Sequence, residues 1–418
     1  MMNVPIVLTM TPIFNRLWRP ILAAAVLLGT MSTVVLAQSG GGPPANVKMR
    51  IGPIYINPTM ALSNAGVDDN VFNTAGNRIS DYTVTVTPKT DLWVRFGPSW
   101  LTANIREDIT WFQKSASERS ANSGYTLSWS IPLSRMTFTP NGTYTSTRDR
   151  PGFEIDTRAQ RAEIGYGLQA DLRLLSKTSL GFTVDQHQTL FDANAVYLDV
   201  NLKDELNRVG TTMGVNISHQ LTPLTTVSVN VSRELDRFTY QQLRNADTTM
   251  IAASIKFDPA ALIKGGATIG LESYKPADPG TPGYTGSTAT VNLSYVFLGI
   301  TKVGATVARH VQNSYDINEP YYVETGATLE VGQQLFGPLD IVGRGGLQQL
   351  AYQNRVGAVV VEADRVDHVK SFGGGLGYHL GKDTRIGFNI DQEHRESVIL
   401  LHQYTGLKYG FSVTYGGG

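Results

Sequence analysis

The connections in this chain alternate between short and long, and that alternation restricts the fold more than any other feature. The tight connections are Phe96-Gly-Pro-Ser99, Pro132-Leu-Ser-Arg135, Leu175-Ser-Lys-Thr178, Leu221-Thr-Pro-Leu224, Asp258-Pro-Ala-Ala261, Leu298-Gly-Ile-Thr301, Phe336-Gly-Pro-Leu339 and Leu380-Gly-Lys-Asp383. Between them run longer polar loops, among them 114–122, 148–158, 274–285 and 313–321. Eight tight turns and nine longer loops predict eighteen segments of roughly ten to sixteen residues. Short turns at one end and long loops at the other is the layout of an outer-membrane barrel, whose strands need ~9–11 residues to cross.

Within the segments the side chains alternate. Leu407, Tyr409, Phe411, Val413 and Tyr415 are large and apolar, and the residues between them are small or polar. The same period recurs in Tyr82/Val84/Val86, in Tyr125/Leu127/Trp129/Ile131 and in the longer row Ile164 to Leu174. It returns in Val227/Val229/Val231, Ala267/Ile269/Leu271, Val291/Leu293/Tyr295/Phe297 and Ile386/Phe388/Ile390. Successive strand residues point to opposite faces, so each segment has one apolar and one wet face. The chain is therefore read as all-β.

A spacing near 40 residues also belongs to β-propeller blades. A blade fits four strands into that length, whereas each period here holds two long ones and ends in no Trp-Asp pair. A soluble sandwich or secreted adhesin would need one enormous core for eighteen one-sided strands, and an extended β-solenoid is the remaining alternative. The fold predicted is a transmembrane antiparallel β-barrel of about 18 strands (16–18), with short periplasmic turns and longer extracellular loops. Only closure pairs every backbone group in hydrocarbon and leaves no sheet edge.

Charge places the wet face. Charged residues are 17% of the chain, below the ~25% typical of soluble proteins, and the formal net charge is zero. The wet rows carry Glu163, Asp171, Arg173, Asp185, Glu272, Arg385, Asp391 and Lys408, which suit a hydrated lumen and would be costly in a dry core. These eight are the candidate pore-lining residues. Glycines between apolar residues, as at Gly373, Gly375 and Gly377, suit curvature or close packing. Trp93, Trp100, Trp111, Phe112, Phe297 and Phe336 sit near strand ends and are expected in interfacial girdles. Outer-membrane lipids, lipopolysaccharide and the barrel assembly machinery are the partners such a barrel needs. Balanced charge excludes a nucleic-acid partner.

At the N-terminus Arg16 and Arg19 precede an apolar run from Ile21 to Val35, and Val35-Leu36-Ala37 resembles a cleavage site. This is the pattern of a secretory signal peptide, and the run is short for a membrane anchor. The expected organisation is a leader at 1–37, a flexible periplasmic linker at 38–48 and a barrel at 49–418, in the outer membrane of a Gram-negative bacterium.

The first mature strand and its loop, "GPIYINPTMALSNAGVDDNVFN" (Gly52 to Asn73), resemble the opening of the outer-membrane β-barrel porins of the porin 2 family. The resemblance implies a porin or channel that supports exopolysaccharide secretion or passive solute diffusion. It extends the expected partners to polysaccharide export proteins or the polysaccharide. A structural or adhesin-like barrel without transport is the alternative. Many barrels end on an aromatic residue, whereas here Tyr415 is followed by three glycines.

No catalytic, cofactor or metal site is proposed. Asp68, Asp69 and Asn70 offer clustered oxygens for a hard cation, but spacing for a complete site is missing, so a polar strand-end turn is the better interpretation. The stretch "GGGLGYHLGKDT" imitates a phosphate loop but has Leu376 at the first glycine position and Asp383 after Lys382. The seven histidines show no metal-ligand spacing, and no nucleophile elbow appears. The apolar stretches 357–362 and 398–401 are unusual for solvated loops. They either fold inward as a constriction, extend the strands or pack on each other.

Overall fold

The computed structural model describes residues 42–44 and 47–416. The leader expected at 1–37, part of the 38–48 linker and the last two glycines lie outside the described residues. Alternating side chains and tight turns give long antiparallel strands. A short β1 (Met49–Ile51) folds back on β2 (Ile54–Asp68). The wall continues through β3 (Asp81–Phe96), β4 (Ser99–Phe112), β5 (Ser120–Pro132), β6 (Met136–Thr147), β7 (Arg161–Arg173) and β8 (Thr178–Phe191). The next loop holds β9 (Val196–Tyr197), β10 (Val200–Asn201) and a one-turn helix α1 (Leu202–Leu206). Then follow β11 (Arg208–Thr222), β12 (Thr225–Phe238), β13 (Ala246–Phe257), β14 (Ile263–Pro276) and β15 (Tyr284–Phe297). The last six are β16 (Thr301–Asn313), β17 (Tyr321–Gln334), β18 (Leu339–Gln353), β19 (Val366–Leu380), β20 (Thr384–Glu396) and β21 (Tyr404–Tyr415).

Eighteen of these strands form a closed antiparallel barrel. Sequence neighbours pair around the wall, and β2 pairs with β21 from Met60↔Tyr415 to Asp68↔Lys408. All eight expected tight turns fall at strand junctions, and glycines such as Gly97 and Gly381 supply the positive φ these turns require. Among the described residues no helix is long and apolar enough to cross a membrane, so any crossing is made by strands.

The register fixes the two faces. Leu127, Trp129, Leu168, Val229, Ile269, Leu271, Ile390 and Phe411 share the outer face and are exposed there. The aromatic expectation needs correcting. Trp111 and Phe297 do point outward, but Trp93, Trp100 and Phe112 have the opposite parity and face the lumen. Trp100 lies 5.6 Å from the Tyr55 ring, and Phe112 is buried under the Arg158 guanidinium. Sequence position near a strand end does not reveal parity, and here parity decides.

The seam between β2 and β21 is irregular. The register slips between Leu62 and Ala65, with Asn64 at φ 53°. A Cβ at Gly66 would strike the Tyr409 carbonyl, so only glycine lets the two backbones approach. Beyond the bulge the Asp-Asp-Asn motif locks the closure. Asp69 accepts from the Leu407 N–H at 2.6 Å, and Asn70 Nδ2 donates to the Thr405 carbonyl at 3.0 Å. The Asn70 N–H donates to Asp68 Oδ1 at 3.1 Å. These oxygens serve backbone donors of the seam, in line with a strand-end turn.

Candidate functional site: a loop constriction over a charged lumen

All eight candidate lining residues lie on the inward face by register. They are spread at different levels over five strands, β7, β8, β14, β20 and β21. Most are matched by neighbours along the wall. Arg385 donates to both oxygens of Asp340 at 2.6 and 2.8 Å, with His379 also 2.7 Å from that carboxylate. Asp391 receives Arg344 at 2.8 and 3.0 Å, and Glu163 receives Arg161 at 2.9 Å. Asp171 accepts from Gln169 at 2.9 Å, and Lys408 lies 3.7 Å from Asp68. Asp185 stands beside Gly167, Glu272 is buried near the loop mouth, and Arg173 is exposed at a tight turn. The wall thus carries interleaved signs. The glycine row of β19 makes room for it, because a Cβ at Gly373, Gly375 or Gly377 would strike Asp391, Asn389 or Arg385 respectively.

Toward the tight turns and mid-barrel, several inward groups remain wet, although the Arg385–Asp340 pair is buried. The side chains of Asp391 and Lys89 are 48% and 41% exposed. At the long-loop mouth the lumen is filled. Loop 148–160, between β6 and β7, reaches loop 314–320, eight strands away around the wall. There the Ser314 hydroxyl donates to Glu154 Oε1 at 2.6 Å and the Tyr315 N–H donates to Oε2 at 3.2 Å. Phe153 packs against Tyr322, Leu350, Tyr352 and Val369 on the inner wall. Loop 192–207 arrives from another side, and its Tyr197 packs edge-on against Tyr315 with centroids 4.9 Å apart. Asn201 caps α1 by accepting from the Lys203 N–H at 3.0 Å, which seats Leu202 and Leu206 against Ile155 and Tyr315.

An ionic chain binds these loops to the wall. Arg395 of β20 donates to Asp156 Oδ2 at 2.9 Å, to Asp367 at 2.7 Å and to the Glu154 carbonyl at 3.0 Å. Arg365 donates to Glu319 at 2.8 and 3.1 Å and to Asp367 at 3.2 Å, and its guanidinium stacks 3.5 Å from the Tyr352 centroid. Arg365, Arg395, Asp367 and His402 are almost fully buried. On the far side Arg244 pairs with Glu205 at 3.0 Å and donates to the carbonyls of Ser314 and Tyr315. Burial pushes the Glu154 carboxyl up to about 7, against the opposing pull of Ser314 and Arg365. It also pushes Asp156 up to about 6 despite Arg395, and holds the His402 imidazole below its ordinary range.

The family-like motif takes part in this assembly. Arg150 donates to the Val71 carbonyl at 2.9 Å, and Asn73 donates to Asp156 at 3.3 Å. The segment that locks the seam therefore also anchors the inward loop.

Of the three alternatives for the apolar loop stretches, inward folding is not what the structure shows. Stretches 357–362 and 398–401 do not build the constriction: Val359 is 92% exposed, and Val361, Leu400 and Leu401 are also exposed. The polar loops 148–160, 192–207 and 314–320 fold inward instead. The lining charges meet partners along the wall: two residues away for Glu163 and Asp171, on the adjoining strand for Lys408, and two strands over, past the glycines of β19, for Arg385 and Asp391. His187, Glu234 and Asp236, which linear spacing did not connect, bring possible ligand atoms within 4.8 Å of one another on the inner face. Arg208 lies 3.8 Å from Asp236 and competes for that carboxylate.

A closed eighteen-strand barrel with an apolar outer belt, a charged interior and inward loops defines the outer-membrane porin class. Residues 43–415 match the model of the putative beta-barrel porin 2 family, and the chain belongs to that family. No curated protein matches the sequence. Solved structures similar to it include OpdK of Pseudomonas aeruginosa with vanillate, at 9% identity and a TM-score of 0.45, covering 86% of this chain and 98% of that one. A BenF-like porin of Pseudomonas fluorescens Pf-5 is similar at 9% identity and a TM-score of 0.47, covering 87% and 98%. OccK2 (OpdF) of Pseudomonas aeruginosa in complex with glucuronate shows 8% identity and a TM-score of 0.46, covering 86% and 97%.

Proposed function

We propose that this barrel is a passive outer-membrane channel for small hydrophilic solutes, with its long loops outside the cell and its tight turns in the periplasm. The observation that carries this reading is loop 148–160, which crosses the lumen to bond Ser314 and Tyr315 and is held by Arg395. A lumen that is wet below and narrowed above suits a constricted channel, since an eighteen-strand wall alone would leave a wide aqueous bore. Interleaved charge on the wall suits modest ion preference, because single-sign rings are what select strongly. Of the eight inward residues, Glu163, Asp171, Arg173, Asp185, Asp391 and Lys408 line the wet passage in this reading, while Arg385 and Glu272 are buried in the wall lining.

Export of an exopolysaccharide is a finer reading that needs the loop to withdraw, because a crossing segment obstructs a polymer. The density of the loop core, with Leu202 fully buried and Ile155 and Ala159 nearly so, favours a second reading as a closed scaffold. Planar bilayers separate the two. A channel gives discrete conductance steps, and removal of the crossing segment 150–157 enlarges them. Absence of conductance from folded protein, with and without that segment, overturns the channel and leaves the scaffold.

A further inference from the structure

Above the apolar belt, β12, β13 and β14 carry charges on the outer face rather than in the lumen. Register places Arg233 and Arg237 of β12, Asp247 of β13 and Lys275 of β14 on the same side as Val231, Ile251 and Leu271. The belt on β14 runs from Ile263 to Leu271, roughly 26 Å along the strand at ~3.3 Å per residue. Tilt of the strands reduces that height to about 20 Å, near the apolar band of such barrels. The cations therefore begin where the belt ends, toward the long loops. They are open to the surroundings, with Arg233 and Arg237 side chains 63% and 48% exposed and Lys275 exposed. Both arginines reach Asp247 at 2.7 Å, which fixes them side by side. Three positive charges against one negative leave a net of about +2 in a shallow recess, half open to the surroundings, that Asn245, Thr249 and Pro276 complete.

We infer that this recess binds the phosphorylated sugar headgroup of the outer-leaflet glycolipid, lipopolysaccharide, whose acyl chains lie on the belt below. Paired guanidinium groups match phosphate geometry, and a lysine adds a movable point charge. The apolar rows directly beneath supply what a soluble anion does not use. The inference rests on the outward orientation of the long loops proposed above.

The test uses full-length protein in detergent with fluorescent lipopolysaccharide as probe. Phosphatidylglycerol micelles and inorganic phosphate serve as competitors. The triple variant R233A/R237A/K275A, folded by its heat-modifiable mobility, is expected to lose affinity at least tenfold. Asp247→Asn, which raises the net charge, is expected to bind several-fold tighter, a gain that misfolding does not produce. Unchanged affinity in both variants overturns the inference. Full displacement by inorganic phosphate also overturns it in favour of a soluble-anion site, and displacement by phosphatidylglycerol as effective as by lipopolysaccharide points to the inner-leaflet orientation and overturns it too. Bilayer conductance of the triple variant is expected to match wild type. The channel reading therefore fails or stands separately.

Discussion

Substituting Arg395 by Met tests the ionic chain most directly. Arg395 is fully buried and joins the loop through Asp156 and the Glu154 carbonyl to the wall through Asp367. Methionine keeps the bulk but strands Asp156 with Asn73 and leaves Asp367 to Arg365 and His402. Removing one partner of a buried pair costs about 3–5 kcal/mol, because the other charge remains buried. The barrel wall is held by its own backbone ladder, so this cost falls on docking of loop 148–160. At ~1.4 kcal/mol per tenfold, the docking equilibrium shifts by roughly 150- to 5,000-fold. Amide exchange across 150–157 should accelerate by a comparable factor, while amides of β19 and β20 near the tight turns keep their protection. Channels should show larger or noisier currents. If heat-modifiable, fully folded Arg395→Met gives loop exchange within tenfold of wild type, the ionic chain is not what holds the constriction.

Other outcomes follow from the same structure. Glu154 and Asp156 have raised pKa values of about 7 and 6, so the docked loop takes up protons; its stability is greatest in acid and declines as pH rises through about 6 to 7. Conductance should therefore fall on acidification across that window, and a response that persists unchanged in Glu154→Gln with Asp156→Asn would refute the assignment. Phe388→Arg puts a charge on the outer belt where Phe388 packs edge-on against Phe411, and should cost about 2–4 kcal/mol of folding stability, measured by urea titration of heat-modifiable mobility. An equal tolerance for arginine at the inward, half-exposed Thr226 and at Phe388 would contradict the two-faced wall. Epitope tags in the loops 113–119 and 277–283 should be accessible on intact cells. Exposure only after permeabilisation would reverse the orientation.

The barrel was legible in sequence because its determinants are local. Rows such as Ile164 to Leu174 declare a face by parity alone, and each tight turn marks a reversal within four residues. The constriction was not legible for the opposite reason. Arg395 meets Asp156 across 239 residues, and Arg365 meets Glu319 across 46. Neither arginine, one on β20 and one just before β19, differs in its local pattern from the solvated arginines elsewhere in the chain. Apolar loop residues drew attention to 357–362, yet the inward loops are held mainly by polar and ionic bonds, which composition cannot assign to partners. The nearest partners of the inward charges depend on register between strands, and register is not written within one strand. The metal-like approach of His187 to Glu234 likewise arises because β8 and β12 both flank β11.

The seam between β2 and β21 has a consequence for biogenesis. Met60 pairs with Tyr415, so the closing ladder waits for the whole polypeptide to be delivered. Asp69 finds its donor only on Leu407, while Val71 and Asn73 hold the loop that bars the lumen. Closure and obstruction thereby share one short segment, and pairing at such separation is slow to nucleate. A nascent barrel with its last strand still unpaired lacks the positioned anchor for its own barrier. Chains truncated before β21 would thus be leaky if inserted, and surveillance of incompletely closed barrels becomes a matter of membrane integrity as much as of protein quality.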